Sequence, residues 1–135
     1  MTIRQRPLIL LVEDDRATRE MFDYALRMEE FDVSVAGDGL AALRFIEQQL
    51  PDLIVLDLDL PHVSGIDIQQ EVMAHAETSA IPIIVVTGTE GKVPEQGVFQ
   101  ILRKPTTPDV LIAVIHKALA PSDGDFSKDD ARRGS

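Results

Sequence analysis

Acidic residues follow two short apolar runs in this chain of 135 residues. The run from Leu8 to Val12 is followed by Glu-Asp14-Asp15, and the run from Leu53 is closed by Asp57. If both runs are neighbouring parallel strands, their carboxyl ends share one sheet edge, which is where open α/β folds bind ligands. Clustered carboxylates repel each other unless a cation or a proton intervenes, and oxygen ligands suit Mg²⁺. The pattern therefore predicts a metal-assisted phosphate site.

Two further polar residues close later strand-like runs. Thr87 follows Ile83-Ile-Val-Val, and Lys104 follows the segment that begins at Val98. An aspartate can attack phosphorus and form an acyl phosphate when a metal offsets the negative charges, and Asp57 is the best-placed candidate. Lys104 and the Thr87 hydroxyl could then contact phosphoryl oxygens as a point charge and a hydrogen-bond donor.

The composition excludes several classes of partner. The formal net charge is −10, from 23 acidic and 13 basic residues, and this opposes binding to nucleic acid. The chain has no cysteine, so we expect a reducing compartment and cytoplasmic localisation without disulfides. No apolar run is long enough to span a bilayer, and the amino terminus lacks the apolar segment of a signal peptide. We expect a soluble, unprocessed protein that does not bind membranes.

Short apolar runs alternate with segments of helical periodicity, which predicts an α/β fold with a doubly wound parallel sheet of five strands. Asp15 and Asp38 are predicted helix caps, and the alternating second strand is expected at a sheet edge. The predicted strands are residues 8–12, 31–35, 53–57, 83–87 and 98–103, and the predicted helices are residues 16–30, 39–50, 66–76 and 108–120.

Two segments are expected to differ from this regular pattern. Residues 88–97 contain three glycines and a proline, which predicts at most a short helix between the fourth and fifth strands. Residues 121–135 are mostly polar and cannot bury enough apolar surface to fold, so we expect a disordered tail after a single domain at residues 1–120.

These residues together resemble the receiver domain of two-component response regulators. The resemblance covers about residues 7–120, and its order and spacing are more specific than any single piece. It rests on Leu-Val-Glu-Asp14-Asp15, Asp57 followed by Leu60-Pro61 and Gly65, Thr87, and Lys104-Pro105.

The resemblance implies a flavodoxin-like fold with strand order 2-1-3-4-5 and a phosphoacceptor rather than a classical enzyme. Asp57 would accept a phosphoryl group from a sensor histidine kinase or a phosphotransfer protein, and could then lose it by autodephosphorylation. Mg²⁺ would be held by Asp14, Asp15, Asp57 and the backbone carbonyl of Asp59. The Lys104–Pro105 bond would be cis, and Lys104 and Thr87 would sense the phosphoryl group.

The chain departs from the receiver pattern at three places. Ile101 occupies the position where receivers usually carry an aromatic residue that rotates on activation. The segment from Thr87 to Lys104 is several residues shorter than usual. Asp59 is acidic where many relatives carry other residues, and its carboxylate would face the water that hydrolyses the phosphoryl group. The resemblance therefore leaves the readout of phosphorylation less well defined than its chemistry.

Other readings of the same residues remain open. The Asp57-Leu-Asp59 sequence also resembles the nucleophile and general acid of haloacid-dehalogenase-like phosphatases, although Pro61 and the complete α/β unit before it oppose that reading. A degenerate receiver could instead bind a partner without phosphorylation. Taken singly, Asp15 reads as a helix cap, Asp14 as its solvated neighbour, and the three histidines as surface or packing residues.

The sequence predicts that signalling passes to another protein or through self-association, because no output domain follows the last predicted helix. The downstream protein is not identified by any motif. Apolar residues at Val98, Ile101 and the last helix could support a homodimer.

Overall fold

A computed structural model describes residues 6–88 and 90–121 of the chain. Five parallel strands form one sheet in the order β2-β1-β3-β4-β5, which confirms the predicted fold and places β2 at an edge. In chain order the elements are β1 Leu8–Val12, α1 Arg16–Met28, β2 Asp32–Ala36, α2 Gly39–Gln48, β3 Leu53–Leu56, α3 Gly65–Ala74, β4 Ile83–Thr87, β5 Val98–Arg103 and α4 Pro108–Leu119.

The helices cover both faces of the sheet. Strands β1, β3 and β4 are buried along their whole length because each has a layer of helices on either side. Helices α1 and α4 pack on one face through residues such as Phe22 and Leu111, and α2 and α3 pack on the other through residues such as Ala42 and Ile68. The continuous apolar runs of the sequence are therefore explained by burial on two sides.

Side-chain caps fix where the helices begin. Asp15 accepts a hydrogen bond from the Thr18 N–H at 2.9 Å, and Asp38 accepts one from the Ala41 N–H at 2.8 Å. Each cap satisfies a backbone donor that has no partner inside the helix, and it sets the direction in which the chain leaves the preceding strand. Ser64 and Thr107 cap α3 and α4 in the same way.

The connector between β4 and β5, residues 88–97, contains no helix among the residues that are described. Its Val93 is buried in the core on the side of α2 and α3. The buried Gln69 of α3 donates hydrogen bonds to the Pro94 carbonyl at 2.9 Å and to the Gln96 carbonyl at 2.8 Å. An irregular segment bonded to α3 therefore takes the place of the short helix that the sequence allowed.

Every predicted element boundary lies within two residues of the observed one. Helix α1 ends at Met28 rather than near Glu30, which adopts a positive φ of 70° and turns the chain into β2. The predicted tail beyond Pro121 lies outside the described residues. Within the described part of the chain, every helix is too short or too polar to cross a bilayer.

Candidate phosphorylation site

The register of the two central strands brings the acidic segments together. Val12 at the end of β1 pairs with Leu56 at the end of β3, so the residues that follow them leave the sheet side by side. The Asp57 N–H donates to the Val12 carbonyl at 3.0 Å, which continues the pairing beyond the last strand residues. Asp57 is 2% exposed and therefore lies at the base of a site at the carboxyl edge of the sheet.

Three carboxylates lie within reach of one ion at this edge. Ligand atoms of Glu13, Asp14 and Asp57 all lie within 4.8 Å of one another. Glu13 is buried, and its N–H continues the sheet by donating to the Ala36 carbonyl at 3.0 Å, whereas Asp14 is exposed. The structure thus unites two of the predicted residues with Glu13, which the sequence analysis did not assign to the site.

Asp15 does not belong to this group of three carboxylates. Its Oδ2 accepts hydrogen bonds from the Thr18 backbone N–H at 2.9 Å and from the Thr18 hydroxyl at 2.6 Å. These bonds hold the pKa of the exposed Asp15 carboxyl below its usual value. In this structure Asp15 begins α1, which is the alternative that the sequence left open.

Lys104 directly follows β5 and contacts two of the three clustered carboxylates. Its Nζ lies 3.0 Å from Glu13 Oε1 and 3.1 Å from Asp57 Oδ2. Its backbone N–H donates to the carbonyl of the fully buried Thr87 at 2.9 Å, so the ends of β4 and β5 are tied together beside Asp57. The Lys104–Pro105 peptide bond is cis, as the resemblance implied.

Burial and charge act in opposite directions on these groups. Burial raises the pKa of Glu13 above its usual value, and the hydrogen bond from Lys104 offsets only part of that rise. Burial alone would lower the pKa of Lys104, but its bonds to Glu13 and Asp57 outweigh that effect and the pKa is raised. The ammonium group is therefore stabilised between two carboxylates, of which Glu13 is costly to keep charged.

The loop after β3 fixes the orientation of Asp57. The Asp59 N–H donates to Asp57 Oδ1 at 3.0 Å, while the Asp59 side chain is exposed. Gly65, the first residue of α3, packs so closely on this loop that a β-carbon there would lie 2.5 Å from the Asp57 carbonyl oxygen. A glycine is needed at this position because the start of α3 lies directly against the Asp57 loop.

The donor set fits a hard divalent cation. All three clustered groups offer carboxylate oxygens, the ligands that Mg²⁺ prefers, and the exposed Asp14 leaves one side open for the water that this ion retains. Arg19 of α1 donates from Nη1 to the Glu13 carbonyl at 2.9 Å and to the Asp14 carbonyl at 3.3 Å, which holds the acidic turn in place.

Comparison with protein-family models matches residues 9–116 to the response regulator receiver domain. The chain belongs to the receiver-domain family. The match includes both strands of the acidic site and the strand that carries Lys104, and the Glu13, Asp14 and Asp57 group fits the phosphorylation site of this receiver domain. The family match does not favour the haloacid-dehalogenase-like alternative. Receiver domains are signalling modules rather than classical enzymes, and they interact with histidine kinases or phosphotransfer proteins.

Curated relatives of this receiver domain include DNA-binding response regulators. The DNA-binding response regulator MtrA of Mycobacterium bovis is 38% identical over 127 residues, covering 90% of this chain and 54% of MtrA. The sensory transduction protein RegX3 of Mycolicibacterium smegmatis is 34% identical over 116 residues, covering 82% of this chain and 50% of RegX3. The chain therefore spans about half the length of these relatives.

Solved structures show the same fold. A response regulator from Chloroflexus aurantiacus has a TM-score of 0.79 and 30% identity, with coverage of 87% of this chain and all of that chain. The receiver domain of a sensor histidine kinase from Pseudomonas aeruginosa, described with a magnesium ion coordinated in its active-site cleft, has a TM-score of 0.76 and 27% identity. Coverage in that case is 83% of this chain and 96% of the other.

The readout position Ile101 is a half-buried residue of β5 that packs with the core on the side of α2 and α3. Thus the structure places Ile101 in an ordinary packing role.

The residue that the sequence analysis missed, Glu13, directly precedes Asp14, and the signal that could have found it was its position one residue beyond a continuous buried run.

Proposed function

We propose that this receiver domain is a phosphoacceptor of a two-component phosphorelay, in which Asp57 gains a phosphoryl group in a reaction that needs Mg²⁺. The observation that carries the proposal is the position of the buried Asp57, which contacts Lys104 and lies beside Glu13 and Asp14. Of the carboxylates in the described structure, only Glu13 shares this burial and this contact with Lys104.

Both carboxylate oxygens of Asp57 are oriented before transfer. Oδ1 accepts from the Asp59 N–H, and Oδ2 accepts from the Lys104 ammonium group. One oxygen forms the new bond to phosphorus, and the bond between phosphorus and the donor's leaving group breaks with its electron pair moving to that group. Lys104 and the Thr87 hydroxyl then supply a positive charge and a donor to the phosphoryl oxygens.

Glu13, Asp14 and Asp57, with the Asp59 backbone carbonyl, are the groups proposed to hold Mg²⁺. When bound, the ion offsets the negative charges of the nucleophile and the phosphoryl donor. Asp15 supports the site indirectly, because its bonds to Thr18 fix the start of α1 and thereby the path of the acidic turn. The exposed Asp59 carboxylate lies on the loop beside Asp57, where it can act on the hydrolytic water.

The donor is proposed to be a sensor histidine kinase or a phosphotransfer protein, and the signal leaves through contact with a further protein. The acidic net charge argues against direct binding of this chain to DNA, although relatives of greater length are described as DNA-binding. The absence of cysteine fits a reducing compartment such as the cytoplasm.

Intact mass spectrometry after incubation with acetyl phosphate and Mg²⁺ tests the proposal. We expect the wild type to gain one phosphoryl group, Asp57→Asn to gain none, and chelation of Mg²⁺ to prevent the gain. The matched control is Asp59→Asn, which keeps the backbone N–H and should still be phosphorylated. If the wild type gains nothing from acetyl phosphate or from a cognate kinase, the chain is a degenerate receiver and phosphotransfer is rejected.

The phosphatase alternative predicts a different result in a second assay. Sustained turnover of p-nitrophenyl phosphate that is lost in Asp59→Asn would identify Asp59 as a general acid. We expect no such turnover, because the Asp59 carboxylate is exposed and Lys104 already occupies one oxygen of Asp57.

A further inference from the structure

A cleft of about 440 Å³ opens between the carboxyl-terminal parts of α2 and α3. Its apolar lining comes from Leu43, Ile46, Leu50 and Val72, and Leu50 is 45% exposed. This volume falls within the roughly 300–1,000 Å³ typical of binding pockets. We refer to this feature as the α2/α3 cleft.

The charged lining of the α2/α3 cleft is acidic. It contains Glu47, Glu71 and Glu77, and no lysine or arginine is among its described lining residues. His75 is its one basic group, and its Nε2 lies 2.6 Å from Glu71 Oε2, so it already has an acidic partner. An apolar interior with an acidic rim therefore faces solvent.

The ends of the two helices add further negative potential. The last carbonyl groups of a helix carry a partial negative charge that nearby cations normally offset. Helix α1 has Arg27 in its last turn, and α4 has His116 and Lys117, whereas α2 and α3 have no basic residue in their last turns. The two helices that border the cleft are thus the two whose last turns contain no basic residue to offset this negative charge.

The α2/α3 cleft lies away from the phosphorylation site. Helix α2 leads into the start of β3 at Leu53, and α3 leads through a turn into the start of β4 at Ile83. Because all strands are parallel, the ends of these helices lie toward the amino-terminal edge of the sheet, opposite the edge that carries Asp57. A partner in the cleft would leave the phosphoacceptor accessible.

We propose that the α2/α3 cleft docks a basic amphipathic segment of a partner protein. Apolar side chains of that segment enter between the helices beside Ile46 and Val72, and its lysine or arginine side chains pair with Glu47, Glu71 and Glu77. Charge complementarity selects this occupant, because the acidic rim repels nucleic acid and anionic lipid. A second copy of this chain is a poor match, since its net charge is −10.

Two synthetic helical peptides serve as probes for titration of the full chain, followed by amide chemical shifts. One peptide combines leucine and lysine on opposite faces, and the other has the same leucines with glutamate in place of lysine. We expect only the lysine peptide to bind, with shifts concentrated in α2, α3 and the segments that follow them. Asp57→Asn should bind it equally well, which separates docking from phosphorylation.

Charge-matched variants decide whether binding is specific to the cleft. Glu47→Gln/Glu71→Gln/Glu77→Gln should weaken binding of the lysine peptide by roughly tenfold, since each exposed pair contributes modestly. The control Glu90→Gln/Glu95→Gln/Asp109→Asn removes the same charge from exposed positions outside the cleft and should change affinity by less than about twofold.

Three results would overturn the proposal. Equal weakening in both triple variants would mean attraction to the overall acidic surface. Binding of the glutamate peptide as tightly as the lysine peptide would remove the charge argument. Self-association of the wild type that is lost in the cleft variant, measured by sedimentation, would assign the cleft to a second copy of the chain.

Discussion

Glu13 occupies the position in the acidic turn that is best placed to act with Asp57. It is 2% exposed, it continues the pairing of β1 with β2, and it shares Lys104 with Asp57. Asp15, two residues later, has already left the sheet and caps α1. Adjacent acidic residues of similar chemistry therefore have different functions, because backbone direction changes between them.

Glu13→Gln and Asp15→Asn should separate these functions. Glu13→Gln removes a carboxylate from the clustered group, so we expect Mg²⁺ affinity to fall by roughly tenfold, as is typical when a group that supports a metal site is lost. Asn is also a favourable cap, so Asp15→Asn should retain α1 and change Mg²⁺ affinity little. Isothermal titration with Mg²⁺ measures both effects.

A larger loss of Mg²⁺ affinity in Asp15→Asn than in Glu13→Gln would contradict this assignment. That result would support Asp14 and Asp15 as metal ligands, as the sequence analysis expected. Circular dichroism of both variants controls for loss of helix, since Asp15 also begins α1.

Side-chain hydrogen bonds hold the connector between β4 and β5 at Gly91, Pro94 and Gln96. Arg103 of β5 donates to the Gly91 carbonyl at 2.9 Å, and Gln69 of α3 donates to two further carbonyls of the connector. The Gln69 amide oxygen is itself buried without a hydrogen-bond partner in the described structure, which is a cost that its two donated bonds must offset. Packing against α3 thus replaces a helix as the means of ordering this segment.

Gln69→Leu tests how much this fastening contributes. The change leaves the carbonyls of Pro94 and Gln96 without their donor, so we expect a loss of roughly 1–3 kcal/mol in unfolding free energy and faster amide exchange in the connector. Gln70→Leu is the matched control because Gln70 is the exposed neighbour on the same helix. Urea titration and hydrogen exchange measure the two effects.

Similar amide exchange in the connector of both variants would show that Val93 and the connections to β4 and β5 order this segment without Gln69. Retained phosphorylation of Asp57 by acetyl phosphate would show that Gln69→Leu has not disturbed the start of α3, where Gly65 packs on the Asp57 loop.

The stability of the whole domain depends on pH through the site. Because the native pKa of Glu13 lies above its usual value of 4.5, the native state holds this proton more tightly than the unfolded state does. The stability that Glu13 contributes is therefore complete below that value and is lost as pH rises through the native pKa. In the absence of metal, ionisation of Glu13 therefore lowers the stability of the folded domain.

Glu13→Gln should remove this dependence. In the absence of Mg²⁺, we expect the stability of the variant relative to the wild type to increase as pH rises from about 4 to about 8. Urea unfolding across this range, with chelator present, measures the difference. A difference that stays constant or shrinks with rising pH would show that Lys104 compensates the buried carboxylate fully.

The sequence by itself determined the order of strands and helices and the family, and it predicted roles for Asp57, Thr87 and Lys104. These features depend on local patterns, namely continuous apolar runs for strands buried on both faces, helical periodicity, and caps such as Asp15 and Asp38. Each of these patterns is complete within a few neighbouring residues, and the family resemblance adds only their order and spacing along the chain, so no knowledge of distant contacts was needed.

Only the tertiary structure decided which acidic residues meet and what replaces the missing helix. Glu13 joins Asp57 because of the register between β1 and β3, and the connector is held without a helix because Gln69 of α3 donates to its carbonyls. The acidic α2/α3 cleft likewise exists only where two helix ends converge. These arrangements depend on side-chain directions in segments distant along the chain, which local sequence patterns do not specify.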